Sequence, residues 1–272
     1  MKILLVADLH YALPQLDWVV KVAADYDLVV IAGDLLDISS SVDPGAQIVV
    51  VLAYLRRIRQ KTRLLVCSGN HDLDVLGANG ERKAGWLSSL RRFGVPADGE
   101  TIRIDETDFT LCAWWDGPKT VAEIGEQLRA ASTDRARNWF WVYHAPPANS
   151  PVSWGGQRFY GDAQLLSWIA EYQPTMVLSG HVHEAPFARN GSWADRIGDT
   201  WLFNAGKQIG PVPTSVAIDT EAGEAAWFSL EGAESVQLGA PLTRPVPPLH
   251  AMPAWMAPRV AVSSEARVAD EL

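Results

Sequence analysis

Cysteine is scarce in this chain: only Cys67 and Cys112 occur among its 272 residues. Two cysteines cannot form a disulfide-rich scaffold. Each lies in an apolar, strand-like run, so we expect two buried free thiols, which are usual in a reducing compartment. The sequence therefore favours a cytoplasmic protein.

Long apolar runs are also missing. The longest covers residues 48–55, far short of the roughly 20 residues that a transmembrane helix needs. The apolar stretch after Lys2 ends at Asp8, too early for the core of a secretory signal. We expect no membrane segment, and we interpret residues 48–55 as a buried helix face.

Positive charge is sparse as well. Lys and Arg total 23 against 32 Asp and Glu, which gives a formal net charge of −9. No run of basic residues is longer than two, as at Arg56-Arg57. An acidic surface without basic clusters repels polyanions, so a long nucleic acid is a poor partner.

The chain does have enough apolar material for a sizeable core. Hydrophobic residues make up 48% of it and 12 are tryptophan, which excludes a disordered chain. Six prolines fall between residues 241 and 258, and such sequence favours extended backbone. We therefore predict one domain over residues 1–238. Residues 239–272 form a Pro-rich tail that either lies on the domain or is mobile.

Strand-like and helix-like segments alternate over the first two thirds, which predicts a layered α/β domain. The predicted strands of this set are residues 3–7, 28–32, 64–67, 139–143 and 176–178, and the predicted helices are residues 16–24, 44–59, 121–131 and 163–171. A second strand set has few helices between its members, and from it we expect a second, largely antiparallel sheet packed on the first. This set comprises residues 101–104, 109–113, 201–204, 215–218 and 225–230.

Each of the five strands in the first set is followed by a polar cluster. In chain order the clusters are Asp8-Leu9-His10, Gly33-Asp34, Gly69-Asn70-His71-Asp72, His144, and Gly180-His181-Val182-His183. In layered α/β folds ligands bind at the carboxyl ends of strands, so the five clusters can converge on one site. In the third cluster, the glycine would let three polar side chains fan into one space.

These residue types are suited to transition metals. Imidazole and carboxylate together bind Mn, Fe or Zn, whereas Ca and Mg favour oxygen ligands alone. Five of the six histidines lie in the clusters, and only His250 lies elsewhere. The sequence therefore predicts a site for divalent transition-metal ions.

The ordered pattern Asp-x-His, Gly-Asp, Gly-Asn-His-Asp, His, Gly-His-x-His resembles the signature of the calcineurin-like metallophosphoesterase superfamily. The resemblance implies an α/β/β/α sandwich that holds two metal ions (Mn, Fe or Zn) bridged by one carboxylate. By position, the first ion would be held by Asp8, His10, Asp34 and His183, and the second by Asp34, Asn70, His144 and His181. His71 would be the catalytic histidine that binds no metal.

Asp37 lies where many relatives have a second Asp, bonded to the catalytic histidine. It would then hold the His71 imidazole and favour its charged form. An equally good interpretation is an acidic cap at the start of the loop over residues 36–41.

The resemblance implies hydrolysis of a phosphate ester. Two metal ions can clamp a phosphoryl group and acidify a bridging water, and the resulting hydroxide would attack phosphorus. We expect a phosphodiesterase on a small, nucleotide-like substrate. A phosphomonoesterase is the alternative, because it would use the same metal ligands. A nuclease is less favoured, because an acidic surface repels a polyanion. A non-catalytic interaction module would be expected to lack some of the ligands that are present here. Cleavage of C–N bonds would need a more carboxylate-rich site.

Candidate substrate contacts follow two of the clusters. Trp154 and Arg158 lie after His144, and Trp114 and Trp115 end another strand-like run. An indole can stack on a nucleobase and an arginine can contact a phosphate, although buried core tryptophans are more common. Lys207 is a further candidate to face the site.

Overall fold

The computed structural model describes residues 1–257, so residues 258–272 of the predicted tail lie outside the described residues. Its strands are β1 (Lys2–Val6), β2 (Leu28–Ala32), β3 (Arg63–Cys67), β4 (Val75–Leu76), β5 (Arg82–Lys83), β6 (Thr101–Ile104), β7 (Thr107–Leu111), β8 (Asn138–Val142), β9 (Met176–Ser179), β10 (Ala194–Ile197), β11 (Thr200–Asn204), β12 (Ser215–Asp219), β13 (Glu224–Phe228) and β14 (Ala233–Gln237). The α-helices are α1 (Leu13–Val22), α2 (Pro44–Arg59), α3 (Pro118–Ser132) and α4 (Ala163–Tyr172). Short 3₁₀ segments cover Ala23–Asp25, Asn70–Asp72, Gly85–Phe93, Pro151–Ser153 and Ala254–Met256.

Two six-stranded sheets form the centre of the molecule. The first has the order β14-β13-β12-β1-β2-β3 and the second β10-β11-β9-β8-β7-β6, while β4 and β5 form a separate hairpin. In the first sheet β1, β2 and β3 are parallel, and β12 runs antiparallel to β1. In the second sheet β7, β8, β9 and β11 are parallel.

Side-chain alternation along β1 shows how the layers are built. Ile3 and Leu5 pack into the core between the two sheets, whereas Leu4 and Val6 belong to the core beneath α1 and α2. Successive side chains of a strand point to opposite faces, so β1 is covered on both sides. A third core packs α3 and α4 against the outer face of the second sheet. The predicted four-layer α/β/β/α sandwich is confirmed.

Helix α2 has the predicted bounds because its start is specified locally. Asp43 accepts hydrogen bonds from the backbone of Gly45 and Ala46, and Pro44 occupies the first turn, where its missing N–H costs nothing. Val51, Leu55 and Ile58 recur at helical spacing on the buried side. The apolar run at residues 48–55 is therefore a helix with one buried face, as expected.

The predicted division of strands between the sheets is wrong. Strands β8 and β9, assigned to the first set, lie in the second sheet, and β12 and β13 extend the first sheet instead. The second sheet is also not largely antiparallel, since β7, β8, β9 and β11 form parallel neighbours. A buried apolar run shows that a strand is covered on both faces but carries no information about its neighbour.

The described part of the Pro-rich segment lies on the domain. Val246 is buried in the inter-sheet core, Arg244 forms an ion pair with Asp195 at 2.6 Å, and Trp255 Nε1 donates to Glu224 Oε2 at 2.8 Å. The boundary at residue 238 stays a prediction. Over residues 1–257, none of the helices is both long and apolar enough to cross a bilayer. Cys67 and Cys112 are buried free thiols, as expected.

Candidate active site

The five polar clusters meet at one edge of the inter-sheet core. They follow the carboxyl ends of β1, β2 and β3 in one sheet and of β8 and β9 in the other. Within each sheet these strands are parallel neighbours, so the clusters that follow them emerge on the same side. Packing the sheets face to face brings the two groups of clusters together.

The side chains predicted for the first metal ion lie within a few ångströms of one another. Oδ1 of Asp8 is 3.2 Å from Nε2 of His183, and Nε2 of His10 is 3.1 Å from the same nitrogen. Nε2 of His10 is 3.6 Å from Oδ2 of Asp34. Asp8, His10 and His183 could thus hold a metal ion, with Asp34 adjacent.

The side chains predicted for the second ion form two close pairs. Oδ2 of Asp34 is 3.3 Å from Nε2 of His144, and Oδ1 of Asn70 is 3.0 Å from Nδ1 of His181. The His144 and His181 rings connect the pairs, with centroids 5.2 Å apart. The structure therefore brings all seven predicted metal ligands together, with Asp34 between the two groups.

The backbone at this site is held in a rarely populated conformation. Four of the predicted ligands have positive φ: Asp8 (55°), His10 (41°), Asp34 (54°) and His181 (68°). Such residues cost on the order of 1–3 kcal/mol each and cluster at functional sites. The strain indicates that the direction of these side chains matters more than local stability.

Two glycines allow the loops to approach this closely. A Cβ atom on Gly69 would lie 2.2 Å from Oδ1 of Asp34 and 2.7 Å from Nε2 of His144. Gly33 has a φ of +88°, and its Cβ would lie 2.4 Å from Nδ1 of His144. A side chain at either position would collide with the ring that completes the cluster.

His144 shows that the site suits a cation. Its Nδ1–H donates to the backbone oxygen of Ala32 at 2.6 Å, which leaves Nε2 aimed at the carboxylates of Asp34 and Asp8. That nitrogen is buried without a hydrogen-bond partner among the described residues. A lone pair facing two carboxylates requires a positive charge between them, either a proton or a metal ion.

The pKa shifts differ among the predicted metal ligands. Burial lowers the pKa of His10 and of His181 to about 4, although nearby carboxylates oppose the shift, so both rings are neutral near pH 7 and can bind a metal. Burial acts against ionised Asp34, but His144 and the backbone N–H of His71 outweigh it and hold the pKa of this carboxyl below its usual range. Burial would also lower the pKa of His144, but Asp34 and Asp8 raise it to about 9, so a metal ion bound at Nε2 has to displace a proton near pH 7.

His71 lies at the edge of the cluster, where it forms with His10 and Asp34 a further group that could hold a metal ion. Its ring centroid is 4.4 Å from that of His10, and its Nε2 is 4.0 Å from Oδ2 of Asp34. The backbone N–H of Ile38 donates to Nδ1 at 3.4 Å. Because a backbone N–H can only donate, this contact favours the tautomer that has Nδ1 unprotonated and its proton on Nε2, facing the site.

The expected contact between Asp37 and His71 is not formed in the described part of the chain. The Asp37 carboxylate accepts a hydrogen bond from the backbone of Ser39 at 2.8 Å, which is the loop cap of the alternative interpretation. Gln47 holds the Asp37 backbone through hydrogen bonds of 2.8 and 3.0 Å. A catalytic role for Asp37 stays a prediction.

Asp72 also differs from its expected orientation. Only Asn70 and His71 of the third cluster face the site, because the fully buried Asp72 side chain points away and accepts hydrogen bonds from backbone N–H groups. The sequence pattern could identify Asp72 as part of the motif, but not the direction of its side chain.

Of the candidate substrate contacts, Trp114 borders the site most closely. Its ring centroid is 5.1 Å from that of His181 and 5.5 Å from that of His144, and Trp115 stacks parallel to it at 5.9 Å. Both indoles are half-buried, so Trp114 is not a fully buried core residue, and part of its ring remains accessible. Trp154 instead donates to the Arg189 backbone.

Lys207 and Arg158 differ in where they lie. The backbone N–H of Lys207 donates to the oxygen of His183 at 3.2 Å. Burial lowers the pKa of its ammonium, and the carboxylates of Asp8 and Asp34 oppose this shift, so Lys207 lies beside the cluster. Arg158 lies over the Tyr160 ring at 4.6 Å.

The sequence matches the family model of calcineurin-like phosphoesterases over residues 1–185. Among solved structures, the fold is similar to the protein TT1561 of Thermus thermophilus, with a TM-score of 0.54, 14% identity, and coverage of 87% of this chain and 98% of that one. Weaker likenesses are to YfcE, a phosphoesterase from E. coli (TM-score 0.44, 16% identity, 88% and 100% coverage), and to a metallophosphoesterase from Sphaerobacter thermophilus (TM-score 0.39, 14% identity, 84% and 86% coverage).

A search of curated proteins finds no match. The family match spans every polar cluster from Asp8 to His183, and the likeness to TT1561 agrees with the four-layer fold. The chain belongs to the calcineurin-like phosphoesterase family, and it is a metal-dependent hydrolase of phosphate esters.

Proposed function

We propose that the protein is a phosphodiesterase for a small, nucleotide-like substrate. In this proposal two divalent transition-metal ions are held by seven side chains: Asp8, His10, Asp34, Asn70, His144, His181 and His183. The family match supports the hydrolase chemistry. The Nε2 of His144, which is buried without a hydrogen-bond partner within residues 1–257, supports the ligand set.

The donor types favour Mn, Fe or Zn over Mg or Ca. Four imidazoles, two carboxylates and one amide make up the set, and imidazole suits the transition metals. When bound, such ions polarise phosphoryl oxygens and acidify water. Asp34 lies between the two ligand groups, so we assign it as the shared carboxylate.

His71 is the proton donor in this proposal. Its Nε2 faces the cluster, and Nδ1 is held by the Ile38 backbone. With its proton on Nε2, the ring can therefore donate a hydrogen bond to a phosphoryl oxygen. To give a proton to the leaving oxygen, the ring must be protonated on both nitrogens, and Nδ1 then gives up its contact with the Ile38 backbone. Lys207, beside the same carboxylates, supplies a positive charge for the substrate phosphate.

Trp114 is the observation that favours a diester. A diester has a second organic group, which the site must accommodate beside the metal ions. The half-buried Trp114 lies next to His144 and His181 and offers an aromatic surface for that group. Stacking on an aromatic side chain suits a nucleobase. The net charge of −9 argues against a long nucleic acid, and the two free thiols fit our assignment to the cytoplasm.

Two chromogenic esters test the proposal. Purified protein loaded with Mn²⁺ should hydrolyse bis-p-nitrophenyl phosphate with a higher kcat/KM than p-nitrophenyl phosphate, and a chelator should abolish both activities. A preference for p-nitrophenyl phosphate would identify a phosphomonoesterase instead. Hydrolysis of neither ester by protein that retains its metal would overturn the proposal.

A further inference from the structure

Asp72 is a fully buried carboxylate that makes no contact with solvent. Its Oδ2 accepts the backbone N–H groups of Asp34 and Gly69, both at 2.8 Å. Its Oδ1 accepts those of Leu35 and Leu36, both at 3.0 Å. Burial and the nearby Asp34 raise the pKa of Asp72 to about 7, but four backbone donors face its oxygens and these hold the ionised form. Four hydrogen bonds to one carboxylate are a strong local restraint.

These four bonds join two separate loops. Asp34 to Leu36 follow β2, whereas Gly69 and Asp72 follow β3. A reverse bond completes the connection, because the backbone N–H of His71 donates to Oδ1 of Asp34 at 2.8 Å. The two loops that present Asp34, Asn70 and His71 are thus held together by carboxylates of both.

The position of Asp72 excludes a direct role in binding metal or substrate. Both of its oxygens are occupied by backbone donors, and the side chain is enclosed. The backbone oxygen of Asp72 in turn accepts a hydrogen bond from Trp86 Nε1 at 2.9 Å, which also fixes the end of this loop. Asp72 can affect the site only through the residues that it holds.

We propose that Asp72 is a positioning residue for the second metal ion, because it fixes the separation between the Asp34 carboxylate and the Asn70 amide. The inference rests on the proposed assignment of Asp34 and Asn70 as metal ligands, and it does not depend on the choice of diester over monoester. Partners that orient metal ligands are typically worth about 10–100-fold in metal affinity or activity.

The Asp72→Asn variant tests this role. Asparagine keeps the shape but has one acceptor oxygen, and its amide N–H₂ would face backbone donors. Titration of the full-length apoprotein with Mn²⁺ should show one of the two sites losing at least about tenfold in affinity. The electron paramagnetic resonance signal of a spin-coupled Mn²⁺ pair should fall in parallel, and excess Mn²⁺ should restore part of kcat with KM unchanged.

Asp72→Glu is the second variant, in case the asparagine variant does not fold. It keeps the charge, but its extra methylene cannot fit an enclosed site without displacing the loops, so it should lose Mn²⁺ affinity in the same direction. Asp108→Asn is the matched control. Asp108 is also buried and accepts a hydrogen bond from the backbone N–H of Ala136. It lies on β7, however, and its carboxylate forms an ion pair with Arg103.

The Mn²⁺ titrations distinguish failure of the inference from failure of the proposed metal centre. Weakened binding of one of the two Mn²⁺ ions in the Asp72 variants, with normal binding in Asp108→Asn, supports the inference. Folded Asp72 variants that bind two Mn²⁺ ions as tightly as the unaltered protein overturn it, as does equal loss in Asp108→Asn. Failure of the unaltered protein to bind two ions would instead refute the proposed metal centre itself.

Discussion

The backbone N–H of His71 donates a 2.8 Å hydrogen bond to Oδ1 of Asp34. The proposed proton donor and the proposed bridging ligand are therefore joined through the main chain, while the imidazole of His71 faces the site independently. Truncation of the His71 side chain leaves this bond in place. Catalysis and metal binding can thus be separated at one residue.

The His71→Ala variant should lose catalysis and keep its metal. We expect kcat for bis-p-nitrophenyl phosphate to fall by about 10²–10⁴-fold, the usual range for a positioned proton donor. Elemental analysis should find as much Mn²⁺ as in the unaltered protein, because every proposed ligand remains. Unchanged turnover would remove His71 from the mechanism.

Asp37→Asn gives the companion measurement. Asparagine can still accept the Ser39 N–H that caps the loop, so kcat should change by less than about tenfold if capping is the main role of Asp37. A loss as large as that of His71→Ala would show that Asp37 acts on the histidine during the reaction, as the motif suggested.

The ligand cluster could be predicted because each motif directly follows a buried strand. A run such as residues 28–32 specifies a strand by composition alone, and Gly33-Asp34 then has to emerge at its carboxyl end. Strand position and motif position are both local properties. The positions of the strands therefore located the five polar clusters without knowledge of the sheet order, and the resemblance to the calcineurin-like family selected the seven ligands among them.

What the sequence could not predict depends on contacts between distant residues. The orientation of Asp72 is determined by N–H groups from a loop that lies 36 and 37 residues earlier in the chain. Strand β8 has the same apolar character as β1, yet its neighbours belong to the other sheet. The position of Trp114 beside His181 arises only when the sheets pack face to face.

Gly69→Ala should damage the site through a single methyl group. The new Cβ would lie 2.2 Å from Oδ1 of Asp34 and 2.7 Å from Nε2 of His144, closer than non-bonded atoms approach. One of the two proposed ligands must move, so we expect at least a tenfold loss of kcat/KM and weaker Mn²⁺ binding. Gly239→Ala is the control, since its Cβ would have no neighbour within 4 Å. Equal activity of the two variants would contradict the close packing described for the loop.

Trp114→Ala should reduce recognition of an aromatic group on the substrate. Stacking of a base on an aromatic side chain contributes about 1–3 kcal/mol, so KM for thymidine 5′-(p-nitrophenyl phosphate) should rise about tenfold or more. Methyl p-nitrophenyl phosphate has no second aromatic group, and its KM should change little. A Mn²⁺ content equal to that of the unaltered protein would show that the neighbouring histidines are undisturbed. Parallel losses on both substrates would argue against stacking.

Metal binding should stabilise the fold, because the site concentrates negative charge in a buried position. The side chains of Asp8 and Asp34 are 0% and 2% exposed, and a cation between them offsets their repulsion. A ligand at 100 times its Kd contributes about 2.7 kcal/mol, which for a chain of this size raises Tm by roughly 5–10 °C. Differential scanning fluorimetry with Mn²⁺ and with a chelator measures the shift.

Mg²⁺ at the same concentration is the control for this measurement. Because it prefers all-oxygen ligation, it should stabilise the protein less than Mn²⁺ does. The His144→Ala variant should show a smaller Mn²⁺ shift, since it removes the one proposed ligand whose buried nitrogen is without a partner among residues 1–257. Identical melting curves of the unaltered protein with Mn²⁺ and with chelator would mean that no ion occupies the cluster, and the positive φ of four of the seven residues would need another explanation.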